Sequence, residues 1–313
     1  MYLRRDHLTR SARAPAKLNL YLEIFGRRSD GFHELETLMV PISLADSLTF
    51  KPAPPANGAF GDIRLDIRHC LPVKPLIAIE EIPTGRTNLV IKALELLRER
   101  SGCRFGARIE LVKRIPAAAG LGGASSDAAT ALRLANWAWQ LRWPRRRLAE
   151  LAAEVGSDVP FFLYGRPAIC RGRGERVEPI GGMTRLYFVI AKPPPGLKTA
   201  EVYEAHDRLG GAAPGLGPGR AEQIAAALAT GHGRGRGWAD SLYNRLQSAA
   251  ATLSPWVERL RAVFDRLDCP GHQLSGSGSA YFGVCRHAQH ARRLATMLRT
   301  RQLGLVYATK SYR

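Results

Sequence analysis

Cysteine is sparse and scattered in this 313-residue chain: five residues, at 70, 103, 170, 269 and 285, with no Cys-x-x-Cys pair. That spacing excludes a disulfide framework and argues against a cysteine zinc site, so the thiols read as small buried apolar groups. No run approaches the ~18 apolar residues of a membrane span. The opening Met1-Tyr2-Leu3-Arg4-Arg5-Asp6 carries charge with no apolar stretch behind it. Neither a secretory signal nor an anchor is expected there, and the expected location is the cytoplasm. Lysine is scarce too. Eight of the 46 basic residues are lysines, leaving 38 arginines against 27 acidic residues, for a net charge of +19. The arginines are spread along the chain, and no aromatic-interleaved basic arm collects them, which tells against a dedicated nucleic-acid segment. The excess reads as a compositional preference with a secondary pull on anions, better suited to small polyphosphate ligands than to a duplex. An apolar content of 45% and a charged content of 23% are ordinary for a globular enzyme, and the length allows two domains.

The common phosphate-binding signatures are also missing from the richest loop, Ile115-Pro116-Ala117-Ala118-Ala119-Gly120-Leu121-Gly122-Gly123-Ala124-Ser125-Ser126-Asp127. No Gly-Lys-Ser/Thr follows its glycines, and no Gly-x-Gly-x-x-Gly is formed. What is there is an alternating segment (Ile109, Leu111, Ile115) leading in and an alanine-rich amphipathic segment leading out. Strand, glycine loop and helix start let an anion meet bare backbone N–H groups and the positive end of a helix. Ser125 and Ser126 are candidates for capping that helix, ligating phosphate oxygens or holding a magnesium ion. The plain alternative is a Gly/Ala turn that merely caps a buried helix.

Alternation over residues 16–24 predicts a strand with Leu18, Leu20, Leu22 and Ile24 on one face and Lys17, Asn19, Tyr21 and Glu23 on the other. A turn at 26–31 returns the chain as a second strand over about 33–42. Helices are expected at about 87–100, 126–141 and 148–155, with a strand at 106–115. The first unit should end near 178–184. A buried strand at 186–191 follows, broken off by Pro193-Pro194-Pro195-Gly196. Flexible segments are expected at 210–219 and at Gly231–Gly237, an Arg/Gly stretch too short to be an RNA-binding tail. Beyond them come a helix opened by Ser254-Pro255, a second glycine loop at Ser275-Gly276-Ser277-Gly278-Ser279, a strand at 280–285, a helix at 287–299 and a strand at 303–310. The order suggests an α+β protein with domains at 1–180 and 181–313.

Four separated motifs now combine: Pro15-Ala16-Lys17-Leu18-Asn19-Leu20 with Asp30-Gly31-Phe32-His33, the central glycine loop, Gly156-Ser157-Asp158-Val159-Pro160, and Leu274 to Ser279. Together they resemble the galactokinase, homoserine kinase, mevalonate kinase and phosphomevalonate kinase (GHMP) superfamily. The first pair resembles the branch whose acceptor is a cytidine-diphosphate sugar alcohol. The resemblance spans about residues 14 to 283. It implies a ribosomal-protein-like N-terminal α+β domain and a ferredoxin-like C-terminal α+β domain, with the active site in the cleft between them. It implies that Pro116 through Ser126 hold the ATP phosphates and that Lys17 and Asp158 are the catalytic pair. Asn19, Phe32, His33 and Tyr203 would line the cytidine site, Asn88 and Lys113 the nucleotide pocket, and Ser275, Gly276, Ser277 and Gly278 a supporting loop. ATP with Mg²⁺ as co-substrate is implied, with no tightly bound prosthetic group; no acidic pair stands out for the metal, leaving Ser126 as a candidate ligand. Small molecules would be the partners, with no nucleic acid or membrane, and a monomer or homodimer as the assembly.

Departures stand beside the resemblance. Ala124 replaces a usual third glycine, and Ala118 and Ala119 occupy glycine-rich positions. Arg245 and Gln247 stand where relatives carry acidic residues, which weakens any role for Asn244. Two rivals remain: a homoserine- or mevalonate-type kinase, disfavoured by Phe32-His33 and Tyr203, and a basic RNA-binding protein, disfavoured by the Lys17–Asp158 pair and the two glycine loops.

Overall fold

A computed structural model of the chain describes residues 9–55, 59–70, 82–210, 217–229 and 238–312. Residues 211–216, from the first Gly/Pro stretch, and the Arg/Gly stretch at 231–237 lie outside the described residues, as do 1–8.

Two long strands, β1 (Arg10–Arg27) and β2 (His33–Ala53), form the spine of the fold, antiparallel to one another. They are joined across the turn that Gly26 to Gly31 announces. Next in the chain come β3 (Ile63–His69), α1 (Leu89–Ser101), β4 (Gly106–Lys113) and α2 (Gly123–Ala138). These are followed by α3 (Arg145–Val155), α4 (Val159–Tyr164), β5 (Ala168–Gly172) and β6 (Arg176–Pro179). The second half holds β7 (Tyr187–Lys192), α5 (Thr199–Arg208), α6 (Arg220–Ala229), β8 (Tyr243–Asn244), α7 (Gln247–Leu253) and α8 (Pro255–Asp265). It ends with β9 (His272–Leu274), β10 (Tyr281–Cys285), α9 (Ala288–Thr300) and β11 (Leu305–Lys310).

Among the described residues the strands form two sheets. The first runs β3-β4-β2-β1-β8, with β5 pairing onto β2 and β6 onto β5; the second runs β11-β7-β10-β9. The N-terminal helices cover one face of the first sheet, where Leu94, Leu97, Leu132, Leu151 and Phe161 pack on Phe50 and Ile109. Leu18, Leu20, Val40 and Ile42 of the first sheet meet Phe188, Ile190, Phe282 and Val284 of the second. Helices α5, α7, α8 and α9 cover the second sheet's far face, where Val202, Leu260, Phe264 and Leu294 are buried, whereas α6 packs Ala221 and Ile224 into the cluster between the sheets. The fold class is therefore α+β, as the sequence suggests, with helices segregated to faces of two mainly antiparallel sheets.

One difference from the alternation reading lies in β1, where strict alternation is broken. The face of β1 that carries Lys17, Asn19 and Glu23 is not solvated; all three are buried. A register shift between Asn19 and Tyr21 bulges the strand beside these side chains, a common way to re-aim residues at a site. A second difference matters more. Helix α2 starts at Gly123, with Gly122 as its cap residue, rather than at about 126. Ser125 and Ser126 therefore lie inside its first turn and do not cap it.

Candidate active site

Lys17 sits in mid-β1 at 4% exposure. Its Nζ donates to Oδ1 of Asn19 and lies 3.7 Å from Oδ2 of Asp158. Burial pulls its pKa down from the usual lysine value, and Asp158 pulls it back up. Asn19 in turn donates to Thr37 Oγ1 at 2.8 Å, and that hydroxyl donates to the Tyr21 carbonyl at the bulge, 2.6 Å away. The chain of bonds fixes the ammonium in direction as well as place.

Asp158 stands at the cap position of α4 but makes no capping bond with its side chain. About a third of its side chain is exposed. Gly156-Ser157-Asp158 is therefore more than a helix start, since it leaves a carboxylate free to face a cleft. That cleft encloses about 830 Å³ and is lined from both halves of the chain.

The glycine loop forms the cleft floor. Its carbonyls are turned outward: Ala118 O accepts from Leu197 N and Ser279 N, both at 3.3 Å, and Ala119 O accepts from Ala280 N at 3.1 Å. Gly120 O accepts from Ser275 Oγ at 3.1 Å, and Leu121 O from the Lys17 amide at 2.9 Å. The amides opening α2 lack intrahelical acceptors, as at any helix start, and present positive charge to the cleft. At Gly120 (φ +70°) a Cβ would fall 2.0 Å from the Ser275 carbonyl oxygen, so the two glycine loops meet where only glycine fits. Ala118 adopts φ +45°, a left-handed conformation without glycine's freedom. Ala124 is exposed in the first turn of α2, where its methyl group meets no obstruction.

Residues Pro116 through Ser125 line the cleft, as do Lys17, Asn19, Phe32, His33, Asn88, Lys113, Asp158, Tyr203, Gly276 and Ser277. Ser126 does not; it is fully buried, with its Oγ unpartnered. Ser275 and Gly278 do not line it either, but brace the loop that does. Asn88 caps α1 by accepting from Val90 N at 2.8 Å and donates to Pro83 O at 2.7 Å. Lys113 donates to two buried carboxylates, Asp46 and Asp127.

At the cleft's far end Phe32 is exposed beneath the Arg173 guanidinium, 4.8 Å from the ring centroid. His33 packs against Tyr203, ring centroids 4.9 Å apart, and its Nε2 pairs with Asp207 Oδ1 at 2.7 Å. Burial, reinforced by Asp158, raises the Tyr203 phenol above its ordinary range. Phe32 and Tyr203 both line the cleft, the one beneath Arg173 and the other against His33.

Sequence reasoning missed Asp46, Arg173 and Asp207, and it undervalued Asn244. The Asn244 side chain donates to the carbonyls of Leu274 (2.9 Å) and Gly276 (2.8 Å), clamping the second glycine loop. Arg245 departs from the acidic pattern because it pairs with the buried Glu23 at 2.6 Å. Gln247 also has a local task, accepting from Leu274 N at 2.9 Å.

Comparison with known proteins agrees with this geometry. Residues 88–166 match the family model for the GHMP kinases N-terminal domain, and residues 218–302 match that for the GHMP kinases C-terminal domain. The chain is 39% identical to the 4-diphosphocytidyl-2-C-methyl-D-erythritol kinase of Pelotomaculum thermopropionicum, over 92% of this chain and 93% of that one. It is 36% identical to the enzyme of the same name from Exiguobacterium sibiricum, over 93% and 94% respectively. A crystal structure of 4-(cytidine 5'-diphospho)-2C-methyl-D-erythritol kinase superposes with a TM-score of 0.76 at 38% identity, covering 97% of this chain and all of that one. The mevalonate kinase of L. major shares the fold, with a TM-score of 0.70 at 15% identity over 96% of this chain and 95% of that one.

Proposed function

This chain belongs to the 4-diphosphocytidyl-2-C-methyl-D-erythritol kinase family of the GHMP kinases, and from that premise we propose that it transfers the γ-phosphoryl group of ATP to the 2-hydroxyl of 4-diphosphocytidyl-2-C-methyl-D-erythritol, in isoprenoid precursor synthesis. The observation that carries the reading is the ammonium–carboxylate pair of Lys17 and Asp158, 3.7 Å apart at the mouth of a glycine-built anion floor. Phosphoryl transfer asks for in-line positioning and neutralised charge more than for covalent chemistry. In this reading Pro116 through Ser125 hold the triphosphate on backbone amides. Asp158 orients the acceptor hydroxyl and takes its proton late, as the O–P bond forms, because a carboxylate is too weak a base to strip an alcohol beforehand. Lys17 sets a positive charge beside Asp158 and steadies the entering oxygen. In this reading Phe32 and Tyr203, which both line the cleft, take the pyrimidine, and a base–aromatic stack contributes roughly 1–3 kcal/mol. Homoserine or mevalonate would leave that place empty.

The magnesium ion that ATP brings would shield phosphate charge. Among the described residues no group of three His, Cys, Asp or Glu converges to hold it. Asp127 is held by Lys113, and Ser126 is buried and does not line the cleft. No step is assigned to the metal. A coupled ADP-release assay should give turnover with the cytidine substrate and little with homoserine or mevalonate. Asp158→Asn should lower kcat by about 10²–10⁴ while ATP still binds; near-normal turnover in that variant would remove Asp158 from its role.

A further inference from the structure

Asp46, on β2, is completely buried and joins three separate pieces of the chain. Its Oδ1 accepts from the amides of Arg114 and Ile115, the latter at 2.8 Å, which are the two residues leading into the glycine loop. Its Oδ2 accepts from Lys113 Nζ, which also donates to Oδ2 of Asp127 at 2.6 Å, on α2 just past its first turn. The run from Ile115 to Asp127 is therefore pinned at both ends to one carboxylate, directly on the entry side and through Lys113 on the exit side. Sheet, loop and helix are tied at a single buried point.

We propose that Asp46 is a positioning residue for nucleotide binding, setting the span of the glycine loop through Lys113 and Asp127 so that the loop amides are aimed before the triphosphate arrives. The proposal rests on the reading of that loop as the ATP floor. It also reassigns Lys113, which lines the cleft but whose buried ammonium is already shared by Asp46 and Asp127. Burial raises the Asp127 pKa against the pull of Lys113, so the tie is a compact cluster of one ammonium and two carboxyl groups held away from solvent. Such a tie braces both ends of the loop. An anion floor gains affinity from donors already in place, because no ordering is left for the ligand to drive.

The experiment compares the full-length protein with Asp46→Ala and Asp127→Asn, measuring KM for ATP, KM for the cytidine substrate, kcat, the thermal midpoint and ADP affinity by calorimetry. Asp46→Ala should raise KM for ATP and weaken ADP binding by at least about tenfold, with KM for the cytidine substrate moved less than twofold. Asp127→Asn keeps the Asp46–Lys113 pair and a side chain of the same shape, and remains informative if Asp46→Ala does not fold. It should weaken ADP binding severalfold with the cytidine KM again unmoved. Unchanged ADP affinity in folded Asp127→Asn, or equal losses for both substrates, would overturn the proposal. Failure of the unaltered protein to bind ADP would instead strike at the kinase reading.

Discussion

Ala118 holds a left-handed backbone where a methyl group is unwelcome, and its carbonyl serves two partners at the junction of the halves. Relieving that strain with Ala118→Gly should stabilise the folded protein by about 1 kcal/mol, readable as a rise in the denaturation midpoint. Asp127 gives a second test at this scale, with a sign that follows from its burial. The folded protein holds the proton up to about pH 8, whereas an unfolded chain releases it near 3.8. Between those values the folded state binds more protons, so this group's stability contribution is complete below about pH 4 and is lost as the pH rises through 8. Denaturation across that window should show a shallower loss in Asp127→Asn than in the unaltered protein; identical pH profiles would contradict the burial argument. Lys17 and Asp158 were legible as residues because strand alternation and the Gly-Ser-Asp-Val-Pro motif isolate them. Asp46 was not, because an aspartate in an alternating strand carries no sign of which amides it will meet more than sixty residues later.

At the level of elements, the strands and helices with clear periodicity lie where the sequence puts them, among them α1, β4, α8, β10 and α9. The short pieces, α4, β8 and β9, carry too few residues for a period to register and owe their form to neighbours. The early start of α2 was hidden for a related reason: glycines read as loop, yet Gly123 is the first helical residue because the preceding αL turn at Gly122 feeds directly into it. The second glycine loop is the most sensitive element. Gly276 has φ +56°, and a Cβ there would stand 3.0 Å from Lys17 Nζ and 3.2 Å from Asn19 Oδ1. Gly276→Ala should therefore cut kcat by about tenfold or more through displacement of Lys17, with a smaller effect on the melting midpoint, checked by steady-state kinetics beside calorimetry.

For the molecule as a whole, the charge of +19 is the property most open to misreading. Several arginines lie over aromatic rings at separate places, such as Arg10 on Trp137 at 3.8 Å and Arg147 on Trp143 at 3.5 Å. Others form ion pairs, as Arg171 does with Glu36 and Glu178. Single-stranded RNA should bind only in the non-specific range of roughly 10⁻⁴–10⁻⁶ M at physiological salt and weaken steeply as salt rises. Nanomolar, salt-tolerant binding in a fluorescence titration would contradict a compositional origin for the charge. Among the described residues no helix is long and apolar enough to cross a membrane. The contact between the two sheets was the least readable feature at this scale, since composition identifies apolar faces without saying which will meet.

The outward-turned carbonyls of Ala118 and Ala119, grasped by the amides of Ser279 and Ala280, carry a consequence for dissection of the molecule. The first glycine loop is co-owned by the two halves. Residues 1–180 expressed alone would keep every glycine of that loop yet lose the hands that hold its underside, so on the proposed reading neither half should bind ATP as a portable cassette, and only reunion of the two fragments should restore the grip.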